Sequence, residues 1–133
     1  MKKYYILFVI FLLPLLSLYS QPQLDNEKQF DDAEFFFATE EYKEALYLFK
    51  QLLNTYPENA NINFRTGMTY LNIEGYEKNA LGYLLKAVKN TSLKYKPKRF
   101  DVKEAPHHAW FYLGNAYRIN NELDKAIESY KTF

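Results

Sequence analysis

An all-α fold of stacked helical hairpins, an α-α superhelix or solenoid, is what this 133-residue sequence predicts, and three observations carry that reading. Gly and Pro are scarce, at 4 and 5, so few positions break a helix. Tyr and Phe are abundant, at 13 and 11, which supplies large side chains to fill the space between helices. Beyond residue 25, one spacing of small, aromatic and alanine residues occurs three times. The length suits one domain. With 17 Lys and Arg against 16 Asp and Glu, no bulk charge draws the chain to nucleic acid. It has no Cys, which excludes disulfides, thiolate metal sites, a Cys nucleophile and a lipidated cysteine.

Residues 1–20 read as a signal peptide. Lys2 and Lys3 give a positive start, Tyr4 to Leu18 carries no charge, and Ser20 is the small residue a cleavage site needs. The rival is an uncleaved anchor, but a spanning helix wants about 20 apolar residues, and this stretch is shorter and holds Pro14. The remainder, 21–133, is expected to be exported to the periplasm or outer membrane of a Gram-negative bacterium.

The first hairpin is expected in a repeat of about 26–59, the second in 60–93, and most of a third in 107–133. Their first helices share a small residue, Ala33, Gly67 and Gly114. The first step is 34 residues, and the second is 47 because residues 91–105 interrupt the period. Three residues after each anchor comes an aromatic: Phe36, Tyr70, Tyr117. Twelve or thirteen residues after it comes an alanine on the second helix, Ala45, Ala80 or Ala126, with Phe49, Leu84 or Tyr130 four further on. The second hairpin has the thirteen-residue spacing, so its turn is one residue longer. Small residues let two helix axes approach, and neighbours three and four apart lie on one face to fill the gap. Pro57 is expected to end the second helix and Pro106 to open the fifth. A hairpin of this kind cannot bury its apolar face alone, so hairpins stack.

These residues resemble the tetratricopeptide repeat family. The third segment is the fullest match, with Trp110, Leu113, Gly114, Tyr117, Ala126 and Tyr130. The first matches with Ala33, Phe36, Ala45, Phe49 and Pro57, and the second with Gly67, Tyr70, Ala80 and Leu84 but without a closing proline. The third repeat stops inside its last helix, which leaves an unfinished face and suggests the chain continues beyond Phe133. The arrangement also resembles the N-terminal part of bacterial envelope proteins that follow such repeats with propeller-like and OmpA-like peptidoglycan-binding domains, some of them linked to protein secretion.

The resemblance implies a concave groove lined by the first helix of each repeat. In this numbering the lining comprises Glu27, Phe30, Glu34 and Phe37, then Asn61, Phe64, Met68 and Leu71, then His108, Phe111, Asn115 and Arg118. Phe30, Phe64 and Phe111 recur at one register position. They read either as an apolar stripe for a peptide or partner helix, or as side chains packed between hairpins. Phe30 and Glu34 stand where the family's carboxylate-binding version needs Lys and Asn, so a clamp for a C-terminal carboxylate is not expected.

The insertion is the local charge anomaly. From Lys86 to Lys103 seven basic residues, Lys94, Lys96, Lys98 and Arg99 among them, face Asp101 alone, with Tyr95 and Phe100 interleaved. Behind a signal peptide this suits an anionic surface or an acidic domain better than nucleic acid; the plainer reading is a solvated loop. The first hairpin is acidic, a complement of opposite sign. Catalytic chemistry is absent from the pattern. His107 and His108 are adjacent and point about 100° apart on a helix, and there is no phosphate loop, nucleophile elbow or carboxylate pair. No cofactor, metal or enzymatic activity is expected. The expected role is a protein- or peptide-binding scaffold, with a stand-alone periplasmic adaptor for apolar client segments as the alternative.

Overall fold

Six α-helices follow one another in a computed structural model that describes residues 21–133, with side chains from Asp25 onward. The signal-peptide reading lies outside the described residues. Helix α1 spans Gln21–Ala38 and α2 spans Tyr42–Thr55; α3 is Ala60–Leu71 and α4 is Ala80–Ala87; α5 is Ala109–Ile119 and α6 is Leu123–Thr132. Helix α1 starts ahead of the expected residue 26. Each helix packs on its neighbours in sequence, giving three hairpins, α1/α2, α3/α4 and α5/α6. The described residues are thus all-α apart from a two-residue parallel bridge between β1 (Thr91–Ser92) and β2 (Ala105–Pro106).

The turns inside the hairpins share one device. Glu40 (φ 65°), Gly75 (φ 81°) and Asn121 (φ 62°) adopt left-handed backbone, each five residues before the alanine of its second helix. In the first and third hairpins the next N–H closes the helix end. Glu41 donates to the Phe36 carbonyl at 2.9 Å, and Glu122 to the Tyr117 carbonyl at 2.9 Å, the bonding expected of a helix stopped by one left-handed residue. The extra residue of the second hairpin lies between Gly67 and Gly75. There the chain leaves α3 through single-turn bonds, Ile73 to Tyr70 and Tyr76 to Ile73, and enters α4 through a 3-10 turn over Glu77–Asn79.

Asn59 caps α3, its side chain accepting from the Ile62 N–H at 3.0 Å, which satisfies one of the amides a helix start leaves open. Pro57 stands just beyond the end of α2, as its missing donor requires. Pro106 does not open α5: it is buried in the β2 bridge, and α5 begins at Ala109 after a turn through His107 and His108. The bridge anchors the chain first, so proline's lack of an N–H serves an end of β2 rather than a helix start.

The small residues mark the closest approaches. Ala33, Ala45, Ala80 and Ala126 are buried, as are Phe49 and Leu84 four residues beyond their alanines. Two clusters result. Phe30, Ala33, Ala45, Phe49, Leu52 and Ile62 join the first hairpin to α3; Phe64, Tyr70, Leu84, Leu113 and several alanines join the second hairpin to the third. A Cβ on Gly67 would stand 2.6 Å from Leu84 Cγ, and one on Gly114 would overlap the Tyr130 ring. Gly82, by contrast, has open space around its missing Cβ. Gly82→Ala should therefore raise stability by about 0.5–1 kcal/mol through helix propensity. Gly67→Ala gains the same propensity but must displace fully buried Leu84; overpacking of about 1–3 kcal/mol outweighs it. Urea titration of the two variants should move the midpoint in opposite directions.

Candidate functional site

The residues expected to line a groove divide by burial. Phe30 and Phe64 are 0% and 2% exposed, whereas Phe111 is 40% exposed. Phe30 meets Phe49 edge-on at 5.9 Å and Phe100 at 6.0 Å. Phe64 lies edge-on to His108 at 5.5 Å and to Tyr112 at 5.9 Å. Both rings are thus covered by this chain's own side chains, Phe30 in part by Phe100 of the insertion. Phe111 sits in an aromatic group open to solvent, with Tyr130 and Phe133 each at 5.8 Å and the Phe133 ring stacked on His107.

The polar members of the set are also engaged. Glu34, 6% exposed, is bridged by Arg65 through both guanidinium Nε and Nη. Arg65 also lies over the Phe37 ring, 5.2 Å from its centroid, so the buried carboxylate has its charge answered from α3 and the guanidinium has an aromatic face. Met68 and Leu71 are half-buried against the second core cluster. Asn115 accepts a hydrogen bond from the Tyr130 hydroxyl at 2.8 Å, while Glu27 and Arg118 are exposed.

Asn61 is fully buried although polar. Its partners come from the insertion. Its amide donates to the Arg99 carbonyl at 3.2 Å, and its oxygen accepts from the Tyr95 hydroxyl at 2.6 Å. The Lys103 carbonyl accepts from the Ala60 and Asn61 N–H groups at 3.1 and 3.3 Å, satisfying the start of α3. Phe100 lodges between Phe30 and Tyr56, with ring centroids 6.0 and 5.5 Å away. The insertion is therefore not a solvated loop throughout. Its lysines point outward, but Tyr95, Phe100 and the backbone from Arg99 to Lys103 are seated on the face shared by α1 and α3. Burial pushes the Tyr95 hydroxyl pKa up, with Arg65 opposing that rise and Glu34 adding to it.

Lys94, Lys96 and Lys98 are exposed along the outer side of this insertion, which straps that face, Lys98 with left-handed backbone (φ 59°). Arg99 donates from Nε to Asp101 at 2.8 Å, which holds the Asp101 carboxyl below its ordinary range. Lys86 is paired with Glu58 at 2.8 Å. The unpaired basic character of the insertion is thus carried by Lys94, Lys96, Lys98 and Lys103, all exposed. Sequence reading singled out this charge but missed Arg65 and the inward role of Tyr95 and Phe100. The available signal was two rings among lysines, five residues apart, in a segment with no periodic apolar face to bury them.

His108 is held below the ordinary imidazole range, first by loss of solvent and then by the charges of Arg65 and His107. A histidine depressed on folding supports stability above its unfolded pKa of about 6.5 and loses that support as pH falls through the folded value. Lowering pH from 7.5 to 5.5 should lower Tm slightly more for the wild-type chain than for His108→Gln, which carries no titrating ring.

Among the described residues no group of three or more His, Asp or Glu comes together as metal ligands would, and no helix is long and apolar enough to cross a membrane. What the arrangement offers is a set of surfaces: a strapped face on α1 and α3, a lysine edge, and an aromatic end on α5 and α6. Neither protein-family models nor curated proteins give a match to this chain.

Proposed function

We propose that this chain is a non-catalytic scaffold of tetratricopeptide type that works in the bacterial envelope and binds a protein or peptide partner. In this reading it is the N-terminal module of an outer-membrane or peptidoglycan-associated protein, with a part in protein secretion. The observation that carries the repeat reading is the recurrence of one contact. In each hairpin a small residue of the first helix faces the second helix, at Gly67 against Leu84 and Gly114 against Tyr130, with Ala33 and Phe49 buried at the equivalent positions. The left-handed turn residue five positions before each alanine supports the same period. The envelope location rests on residues 1–20 of the sequence alone.

One observation favours a second reading, an adaptor holding apolar segments of exported clients. The third hairpin exposes four large apolar side chains, Phe111, Leu123, Ile127 and Phe133, between 40% and 60% each, with the Phe111 and Phe133 rings in contact. Immunoblotting of fractionated native cells separates the two. A band far larger than this chain in the outer-membrane and peptidoglycan pellet supports the module. A band of the chain's own size in the soluble periplasm overturns the module and favours the adaptor. A cytoplasmic band overturns both.

A further inference from the structure

The face of α1 and α3 is filled by the chain itself, and the filling has the form of a bound peptide. Residues 93–104 cross that face in a largely irregular path, without a helix or a strand of the two-residue bridge, yet they are fastened at four points by groups of different chemistry. The Tyr95 hydroxyl reaches the buried Asn61 oxygen, and the Asn61 amide returns to the Arg99 carbonyl. The Phe100 ring enters a slot between Phe30 and Tyr56. The Lys103 carbonyl takes the two open amides at the start of α3. Side-chain amide to backbone carbonyl, aromatic ring in an apolar slot and free helix amides to a carbonyl together recognise an extended segment by both its backbone and its rings.

The covalent ends do not require this course. Ala105 donates to the Asn90 carbonyl at 2.9 Å, and Thr91 pairs with Ala105, so the segment leaves and re-enters at one place. A handful of residues would close that gap, and the longer excursion is seated on its fastenings rather than stretched between its ends. Its outer edge carries the exposed Lys94, Lys96 and Lys98, opposite in sign to a first hairpin rich in Asp and Glu.

We propose that residues 93–104 are an intramolecular ligand, and that the face they occupy is a binding site for an extended, basic segment of another protein that carries Tyr and Phe five residues apart. The strap keeps the site closed until such a segment displaces it. A site open for only a fraction of the time shows an apparent Kd raised by the inverse of that fraction, so a strap seated nine-tenths of the time weakens binding about tenfold. The identity of the occupant as a partner protein rests on the scaffold reading above; that the strap is a separable ligand does not.

The test gives the strap back in trans. A fluorescein-labelled synthetic peptide with the sequence of residues 92–104 is titrated by anisotropy against the full chain, against Phe100→Ala, and against Tyr95→Phe with Phe100→Ala. Vacating the slot should let the peptide bind at least about tenfold more tightly to the variants than to the wild-type chain, and a peptide lacking the Phe ring should lose that binding. A variant that still melts cooperatively but takes up no peptide overturns the proposal. Should the substitutions unfold the chain, hydrogen exchange on the wild-type protein decides it. Amides of Ala60 and Asn61 that exchange well before those of Asn63 and Phe64 fit a strap that lifts on its own, and the four exchanging together overturn it. Failure here leaves the fractionation test of the scaffold reading standing.

Discussion

Arg65→Met should cost about 3–5 kcal/mol, because it leaves the Glu34 carboxylate inside the protein with no countercharge. The two side chains are 13% and 6% exposed, and the pair runs between α1 and α3, so it ties the first hairpin to the second. For a domain of this length the loss should appear as a fall of more than about 10 °C in Tm, and it would consume a large part of a typical total stability of about 5–15 kcal/mol. The double variant Glu34→Leu/Arg65→Met is the informative partner. Replacing both charges with apolar groups of similar volume removes the desolvation cost along with the attraction, so it should fall near wild type or above it. Urea unfolding of the four corners of this cycle measures the coupling. A double variant as unstable as Arg65→Met alone would mean that the cost comes from lost packing of the guanidinium on Phe37 rather than from the bared charge.

The sequence revealed the hairpins because their determinants are local. A small residue, an aromatic three on and an alanine twelve or thirteen on are spacings within one helix or across one turn, and helical periodicity alone makes them visible. The turn length of the second hairpin was legible for the same reason, and the single-turn bonds of Ile73 and Tyr76 take up the extra residue. The Glu34–Arg65 pair was not legible. Both residues have helical neighbours of ordinary polarity, and what joins them is the angle at which α1 meets α3, a property of packing between repeats. The strap was read for its charge, since seven cations dominate a short stretch of sequence, whereas the burial of Tyr95 and Phe100 depends on Asn61 and Phe30, 34 and 70 residues away. Pro106 misled for a related reason. A proline near a helix start has two common uses, and the bridge to Thr91 that decided between them is non-local.

The row of Phe30, Phe64 and Phe111 shows how far one register position can carry an inference, and its members should part under mutation. Phe64→Ala removes a ring that is 2% exposed and lies against His108 and Tyr112, so it should cost about 3–5 kcal/mol through lost transfer energy and the cavity left behind. Phe111→Ala removes a ring that is 40% exposed, at the end of the stack, with no further hairpin among the described residues to cover it. Its cost should be about 1 kcal/mol, the value of its contacts with Tyr130 and Phe133. The sequence position is the same; the difference is that, among the described residues, Phe64 has a following hairpin against it and Phe111 does not. Denaturant melts of the two variants therefore report whether the register position is structural wherever a neighbour exists. Equal and small losses would mean that Phe64 is not held by the third hairpin and that the hairpins stack loosely. Equal and large losses would mean that Phe111 is covered in solution, by another protein surface or a second copy, and the aromatic end of α5 and α6 would then be an interface already in use.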